Sequence, residues 1–342
     1  MNIAVVTPYG NVYGEDRLFD ESSCKIGENL LVPIIRLKES LRKQGHEFHT
    51  ADMYNYDDID VMIFQDINND SRVTIHSPTR LLKYILKRKW RYDYLYKLSQ
   101  KRIKSVLIAQ EPPIVFPYSY DIRYHELFDY ILTWDDDLVD GKKYHKFQYP
   151  QVKPESVPCI PFEEKKLISL ISGNKKSKAG NELYSKRYEF IQFMEGHGYD
   201  LDLYGVGWQQ EGFKCYRGIV ERKHEVQSKY KFSLCYENMT GVSGYITEKI
   251  FDCLFSGSVP IYWGADNITD YIPKTVFIDR REFSANEELY GYISGMAEEE
   301  YKKYLEAGRA YLDSKEYYEE FSVESYIGRM TEIIRKLSGL RN

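Results

Sequence analysis

Residues 230–264 read YKFSLCYENMTGVSGYITEKIFDCLFSGSVPIYWG. The stretch begins with a short apolar segment, Phe232 to Tyr236, that is typical of a buried strand. A loop with two glycines follows, then a helical pattern near residues 247–256, and then a second strand-like segment, Val259 to Trp263. Two strands joined through a helix form a βαβ unit and lie parallel in one sheet. This stretch therefore predicts an α/β fold with a doubly wound parallel sheet.

The same alternation of strands and helices continues along the rest of the chain. Further strand-like segments are Ile3 to Thr7, His46 to Thr50, Val61 to Phe64, Val106 to Ala109, Tyr130 to Trp134, Leu167 to Ile171 and Leu201 to Gly205. Helical patterns occur near residues 30–41 and 181–195, and again from about 284 to 338. Prolines at positions 150, 154, 158 and 161 mark a linker between two such series. We therefore predict two Rossmann-like domains, residues 1–155 and 156–342, the second with a helical tail. Two such domains around a linker are typical of the GT-B architecture, among other two-domain α/β folds.

The composition excludes several classes of protein. The chain has 342 residues and a net charge of −5, which argues against a protein that wraps nucleic acid over its surface. Its five cysteines are widely spaced without a CxxC pair, which argues against a disulfide scaffold and favours a reducing compartment. No apolar run approaches the roughly 20 residues that span a bilayer, and the first residues lack the basic segment of a signal peptide. We therefore expect a soluble, cytoplasmic protein, whose 32 tyrosines are the unusual feature of its composition.

Within the quoted stretch, the residues before and inside the helix suit a phosphate group. Gly241 and Gly244 let the backbone approach a ligand closely. Thr247 is placed to cap the helix, with Glu248 and Lys249 in its first turn. Free N–H groups with a lysine beside them favour phosphate, and Glu248 is placed to accept hydrogen bonds from ribose hydroxyls. The alternative is an ordinary strand-to-helix turn with a Glu–Lys pair on its surface.

The order of these residues resembles the signature of glycosyltransferase family ten, the α-1,3/α-1,4-fucosyltransferases. That signature has a YKF-x-L-x-FEN core, then Y-[VI]-TEK, then VP-[IV]-YWG, and this chain reads YKFSLCYEN, YITEK and VPIYWG at the matching places. Between Asn238 and Tyr245 the chain is one residue longer than the signature. The resemblance implies a GT-B fold with two Rossmann-like domains facing a central cleft, GDP-fucose as the donor substrate, and inversion at the anomeric carbon. It implies neither a covalently bound cofactor nor an essential metal.

The resemblance also implies roles for residues of the second half. Carried over to the matching positions, it implies that Glu248 binds the ribose, that Lys249 binds the diphosphate, and that Asn238 and Tyr245 line the donor pocket.

Two further residues follow from the resemblance outside the quoted stretch. The family has an arginine on the first helix of the donor domain that reaches the diphosphate. Arg187 is the better match because its planar guanidinium suits a phosphate, and Lys186 is the fallback. An inverting transfer needs a base that takes the proton of the acceptor hydroxyl. Glu111, which follows a strand and precedes two prolines, matches the place of the family's proposed catalytic glutamate, and the alternative is a solvated turn residue.

A run of three aspartates, Asp135 to Asp137, invites a different interpretation. Paired carboxylates after a strand are typical of a metal site that faces a sugar nucleotide. The family has a similar acidic turn at this place, and a lysine and an arginine would here neutralise the diphosphate instead of a metal. We therefore interpret the run as a turn and expect no metal site.

Residues 80–104 form a basic segment, with ten lysines and arginines against one aspartate and several aromatic residues. We favour an amphipathic helix with solvated charges; the alternative is weak contact with a membrane surface at the inner membrane face.

The resulting hypothesis is a bacterial, soluble type of fucosyltransferase. It would modify a hydroxyl of an oligosaccharide or a lipid-linked glycan, and would bind no nucleic acid. Two alternatives stay open: a transferase of the same fold that uses another nucleotide sugar, and a non-catalytic module that binds glycans or nucleotides. The acceptor, the linkage position and the oligomeric state do not follow from the sequence.

Overall fold

The computed structural model describes residues 1–24, 28–68 and 93–339, and they divide into two compact units. Unit 1 comprises the described residues up to Pro150, apart from Glu28, together with those from Val323 onward. Unit 2 comprises Gln151 to Ser322 and Glu28. The chain therefore leaves unit 1 inside the predicted proline-rich linker and returns to it near the end.

Unit 1 is built on a parallel sheet. Its strands are β1 (Asn2–Val6), β2 (Glu47–Thr50), β3 (Val61–Gln65), β4 (Lys104–Ala109), β5 (Tyr130–Thr133) and β6 (Tyr144–Lys146). Its first helices are α1 (Gly10–Tyr13), α2 (Val32–Lys43), α3 (Tyr94–Gln100) and α4 (Ile122–His125). The strand order is β2-β1-β3-β4-β5-β6, with every pairing parallel. The order reverses between β1 and β3, so ligands are expected beyond the carboxyl ends of these strands and their neighbour β4.

The pattern of apolar residues explains why α2 packs on this sheet. Pro33, Ile34, Leu37 and Leu41 recur at helical spacing and are all buried. Ile34, Leu37 and Leu41 share a hydrophobic core with Ile3 and Val5 of β1, whereas Ala4 of that strand packs in a second core on the other face of the sheet. Gly45, with φ +79°, adopts a left-handed conformation just after the helix, which is where the sequence predicts its end.

Unit 2 repeats this architecture with its own sheet. Its strands are β7 (Lys166–Ile171), β8 (Leu201–Tyr204), β9 (Tyr216–Gly218), β10 (Tyr230–Tyr236), β11 (Val259–Trp263) and β12 (Ile278–Asp279). Its helices are α5 (Tyr184–Gly196), α6 (Lys223–Gln227), α7 (Glu248–Phe255), α8 (Asn286–Gly295), α9 (Glu298–Leu312) and α10 (Lys315–Phe321). The parallel order is β12-β11-β10-β7-β8-β9, so the reversal lies between β10 and β7. The carboxyl end of β10 is therefore the expected ligand edge.

The last helix, α11 (Val323–Ser338), belongs to unit 1 and corrects the prediction that residues 156–342 form one domain. Its buried face consists of Val323, Tyr326, Met330, Ile333, Ile334 and Leu337. Five of these side chains, from Tyr326 onward, share a hydrophobic core with Leu37 and Leu41 of α2. Burial of an apolar face of six side chains stabilises the docked helix by several kcal/mol. This packing, and not the position of α11 next to unit 2 in the sequence, decides that the helix belongs to unit 1.

Tyrosines contribute much of both cores. Among the largest fully buried side chains are Tyr124, Tyr230, Tyr236, Tyr245, Tyr262 and Tyr301. A buried tyrosine hydroxyl usually has a hydrogen-bond partner. The Tyr230 hydroxyl, for example, donates to Asp202 Oδ2 at 2.7 Å. Packing therefore accounts for a large part of the unusual tyrosine content.

The basic segment is only partly described, because residues 80–92 lie outside the described residues. Its remainder contains α3, whose Tyr94, Leu95 and Leu98 are buried, and the start of β4. Among the described helices, none is long and apolar enough to cross a membrane.

Candidate active site

The carboxyl end of β10 holds a fully buried carboxylate, that of Glu237. Its Oε1 atom accepts a hydrogen bond from the Thr247 N–H at 2.8 Å, and its Oε2 atom accepts one from the Thr247 hydroxyl at 2.7 Å. Oε2 also accepts a hydrogen bond from Lys249 Nζ at 3.1 Å. Glu237 thus ties the end of the strand to the first turn of α7. The sequence places Thr247 at the N-cap of α7, but its hydroxyl makes no capping hydrogen bond. The hydroxyl donates to the Glu237 carboxylate and accepts from Lys249 Nζ, at 2.9 Å, instead of from a backbone N–H.

A glycine beside this carboxylate is required by close packing. A Cβ atom on Gly264 would lie 2.4 Å from Glu237 Cγ and 2.5 Å from the Tyr262 hydroxyl. Such distances are far inside van der Waals contact, so the residue after β11 has no room for a side chain. The close approach brings the ends of β10 and β11 together around Glu237.

Arg187 lies in α5 and reaches the same strand end. Its side chain is buried, and Nη2 donates to the carbonyls of Tyr236 and Glu237, at 2.6 and 2.7 Å. Nη2 also donates to Asn238 Oδ1 at 3.1 Å. Nε is buried and has no hydrogen-bond partner in the described part of the chain. The guanidinium therefore holds the strand end and keeps donor capacity for an anion. Burial lowers its pKa, yet arginine remains cationic at neutral pH.

Asn238 and Tyr245 extend this cluster toward the loop that connects β10 to α7. Asn238 Nδ2 donates to the Tyr245 hydroxyl at 3.3 Å, and both side chains are buried. Gly241 and Gly244 lie between them with φ values of +73° and +84°, which glycine adopts without strain. The Gly244 N–H donates to Asn267 Oδ1 at 2.8 Å, so the loop, although one residue longer than the family signature, is fixed onto the segment after β11.

The first turn of α7 carries a cationic side chain, Lys249, which favours a bound anion, next to an ionised one, Glu248, which can accept hydrogen bonds. Partial burial raises the pKa of Glu248, but Lys249 and Lys223 lower it more, to about 2. Burial lowers the pKa of Lys249, but Glu237 and Glu248 raise it above its usual value. Lys223 Nζ lies 3.1 Å from Asp252 Oδ2, which fixes that lysine along the same helix. Glu248 is therefore an ionised acceptor with a side chain 45% exposed, next to a cationic Lys249.

In unit 1, Glu111 lies in the turn that follows β4. Its N–H donates to Asp66 Oδ2 at 3.0 Å. The carbonyl of the preceding Gln110 accepts hydrogen bonds from Trp134 Nε1, at 3.0 Å, and from the Tyr149 hydroxyl. The turn that carries Glu111 is therefore held on both sides of one peptide group.

An aromatic side chain lies next to Glu111. Tyr9, which follows β1, is 47% exposed, and its ring contacts that of Phe116 edge to face at 5.8 Å. Burial, with the charges of Glu111 and Asp66 beside it, raises the pKa of Tyr9 to about 12. An exposed aromatic face and a carboxylate therefore share the carboxyl edge of this sheet.

The aspartate run after β5 is engaged within its own turn. Asp135 Oδ1 accepts the Asp137 N–H at 3.0 Å, and Asp136 forms an ion pair with Lys146. Across residues 1–24, 28–68 and 93–339, no group of three or more histidine, cysteine or acidic side chains is arranged to hold a metal.

Five of the six predicted site residues come together in unit 2, and Glu111 lies in unit 1. The five are Arg187, Asn238, Tyr245, Glu248 and Lys249. Two of them, Arg187 and Lys249, donate to Glu237, whose role the sequence pattern misses. Asn238 contacts Arg187 and Tyr245, and Glu248 lies beside Lys249. Asp66 is likewise missed in unit 1. Each follows a buried strand directly, which is the signal that could have identified them. The fallback, Lys186, forms a surface ion pair with Glu189 at 2.8 Å.

Known proteins share this sequence pattern and this fold. The model of the C-terminal part of glycosyltransferase family 10 (fucosyltransferase) matches residues 163–336, just over half of the 342-residue chain. An α-(1,3)-fucosyltransferase, FucT, from Helicobacter pylori is 43% identical over 96 residues, which are 28% of this chain and 18% of that protein. An α-(1,4)-fucosyltransferase from Arabidopsis thaliana is 45% identical over 76 residues, which are 22% of this chain and 19% of that protein.

The aligned region thus spans less than a fifth of the length of these two curated relatives. A crystal structure of an α1,3-fucosyltransferase with GDP-fucose is similar with a TM-score of 0.54 and 17% identity, over 98% of this chain and 90% of that one. At this identity the likeness concerns the fold, and it confirms the predicted GT-B type of α/β architecture with two parallel sheets.

Proposed function

Because the chain belongs to glycosyltransferase family 10, the fucosyltransferases, we propose that it transfers L-fucose from GDP-fucose to a hydroxyl of a glycan acceptor, with inversion at the anomeric carbon. Family membership confirms the resemblance drawn from residues 230–264 and makes the chain a glycosyltransferase. The donor, the acceptor class and the stereochemistry are parts of the proposal.

The observation that carries the proposal is the pair of cations joined to one strand end in unit 2. Arg187 and Lys249 both bind groups of residues 236–238, and both keep a positive charge at neutral pH. A leaving diphosphate gathers negative charge in the transition state, which fixed cations stabilise without reorganisation. Glu248 would accept hydrogen bonds from the ribose, and Asn238 and Tyr245 would line the donor pocket.

Unit 1 would supply the base. Glu111 would take the proton of the acceptor hydroxyl while its oxygen bonds to the anomeric carbon of fucose. The bond from that carbon to the β-phosphate oxygen breaks at the same time, and GDP leaves with the electron pair. The exposed ring of Tyr9 suits the apolar face of an acceptor sugar beside this carboxylate.

A donor and acceptor screen tests the proposal. The protein is incubated with GDP-fucose and a panel of oligosaccharides, and GDP release is measured together with the mass of the products. We expect acceptor-dependent GDP release and a fucosylated product. Lys249→Met should lose most of the activity, because the leaving group loses a cation. The control Lys302→Met, which removes an exposed lysine paired with Glu298, should keep it.

Other outcomes would replace the proposal. Product formed from another nucleotide sugar but not from GDP-fucose would indicate a different donor. Tight GDP binding without turnover on any acceptor would indicate a binding module. Full activity of Glu111→Gln would remove Glu111 as the base while leaving the donor assignment in place.

A further inference from the structure

Asp66 carries a buried carboxyl group that is placed against the turn that carries Glu111. It follows β3, is 4% exposed, and accepts hydrogen bonds from three donors. Oδ1 accepts from the Gln110 N–H at 3.1 Å and from the Ser119 hydroxyl at 2.9 Å, and Oδ2 accepts from the Glu111 N–H at 3.0 Å. Two of these donors are consecutive peptide groups of the Glu111 turn.

The surroundings of Asp66 extend this support to a third segment. The Ser119 hydroxyl also accepts the Ile67 N–H at 2.9 Å, so the segment after β3 and the segment around Ser119 are held together. The Asp66 N–H donates to the carbonyl of Ile108 in β4 at 2.9 Å. The carboxyl group of Asp66 and the Ser119 hydroxyl therefore hold three segments together at the carboxyl edge of the sheet.

This arrangement is costly for stability. Asp66 has φ +58°, a left-handed conformation that is uncommon outside glycine. Burial raises the pKa of Asp66 to about 8, against the lowering by the Glu111 N–H, and the Glu111 carboxylate adds to the rise. A buried acid next to another acid, in a strained conformation, is typical of a functional site and not of a stabilising contact.

We propose that Asp66 is a positioning residue, whose carboxyl group fixes the peptide groups of Gln110 and Glu111 and thereby the direction of the Glu111 side chain. The inference rests on the proposed function, because it assigns Asp66 a role only through the base. The Gln110 carbonyl is held from the opposite side by Trp134 and Tyr149. With the carbonyl and the N–H of this peptide group both bonded, the backbone from which the Glu111 side chain extends is fixed.

Asp66→Asn is the matched perturbation, because asparagine has the same size and tolerates the left-handed conformation. The amide keeps one acceptor oxygen and turns an NH2 group toward a backbone N–H. We expect kcat to fall about 30- to 100-fold, as displacement of a reacting group by about 1 Å can do. The KM values for donor and acceptor should change less than about threefold, since Asp66 contacts neither substrate in the proposed function.

A double variant separates positioning from a general structural role. If Asp66 acts through Glu111, the fall caused by Asp66→Asn should disappear in the Glu111→Gln background. The same fall in both backgrounds would overturn the inference, and so would an unchanged kcat of Asp66→Asn. If Glu111→Gln alone keeps full activity, the base assignment fails first, which is a distinct result.

Asp129→Asn provides the control at the opposite end of β4. Asp129 Oδ2 accepts the Ser105 N–H at 2.9 Å, a contact of the same chemical kind that is remote from Glu111. The kcat of Asp129→Asn should stay within about twofold of the kcat of the parent protein. Should Asp66→Asn fail to fold, Ser119→Ala removes one donor to Asp66 Oδ1 and leaves both contacts to the turn. It should give a smaller fall in kcat, which again disappears in the Glu111→Gln background; persistence of that fall would overturn the inference.

Discussion

Replacement of Glu237 by glutamine should loosen the start of α7 and lower the stability of the protein. The carboxylate is fully buried, and its two oxygens accept hydrogen bonds from the N–H and the hydroxyl of Thr247 and from Lys249. Glutamine has the same shape but only one acceptor oxygen. Whichever way its amide turns, an NH2 group faces the Thr247 N–H or the Lys249 ammonium.

The magnitude follows from these contacts. A buried donor left without its acceptor costs about 1–3 kcal/mol, and a hydrogen bond to a charged group contributes about 1.5–3 kcal/mol. Lys249 is 21% exposed and keeps Glu248 as a neighbour, so water compensates part of its loss. We therefore expect Glu237→Gln to lower the free energy of unfolding by about 2–4 kcal/mol. For a unit of this size that corresponds to a fall in Tm of roughly 5–15 °C.

Thermal unfolding, followed by circular dichroism without and with GDP, measures this effect. Glu189→Gln is the control in the same unit, because it removes an equal charge from an exposed pair with Lys186, which is worth less than about 1 kcal/mol. A Tm of Glu237→Gln as close to the parent value as that of Glu189→Gln would refute the anchoring role of the carboxylate.

Four further outcomes are expected. Glu248→Gln should weaken GDP binding about tenfold, as measured by calorimetry, because the amide is a weaker acceptor for ribose hydroxyls. In the parent protein, the free energy of unfolding contributed by ionised Glu248 should be present above the ordinary pKa of a glutamate and be lost as the pH falls toward about 2. Gly264→Ala should unfold at clearly lower urea than the parent, because its Cβ meets Glu237 at 2.4 Å, whereas Gly295→Ala, with nothing within 4 Å, should not. Relative to Asp66→Asn, the parent should lose stability in urea titrations as pH rises from about 5 to about 8, because the raised pKa of Asp66 favours the folded state only while the group is protonated. Addition of EDTA should leave the transfer rate unchanged if lysine and arginine neutralise the diphosphate; a loss restored by Mg²⁺ would contradict this.

The alternation of short apolar strands with helical patterns was sufficient to predict the fold class. The long central strands, such as β10, lie close to their predicted bounds because buried parallel strands consist of near-continuous apolar residues. The short strands β9 and β12 at the sheet margins were missed. They have three and two residues, which is too few for a pattern of apolar residues to be visible.

Long-range packing explains what the sequence could not supply. The apolar face of α11 is visible as a periodic pattern, but its partner α2 lies at the other end of the chain. In the same way, the family resemblance indicates Lys249 and Arg187, whereas the role of Glu237 depends on which strand ends beside which helix. Asp66 offers even less signal, because its partners lie more than 40 residues away.

The return of α11 to unit 1 affects how this protein can be made and divided. Unit 1 carries Glu111, but its helix α11 follows unit 2 in the chain, so the core of unit 1 cannot be completed before unit 2 has been synthesised. A fragment cut at the limits of the family match, residues 163–336, would carry most of that helix away with its apolar face uncovered. Expression of unit 2 alone should therefore end near Ser322, and truncation at that point in the full chain should damage unit 1 and not unit 2.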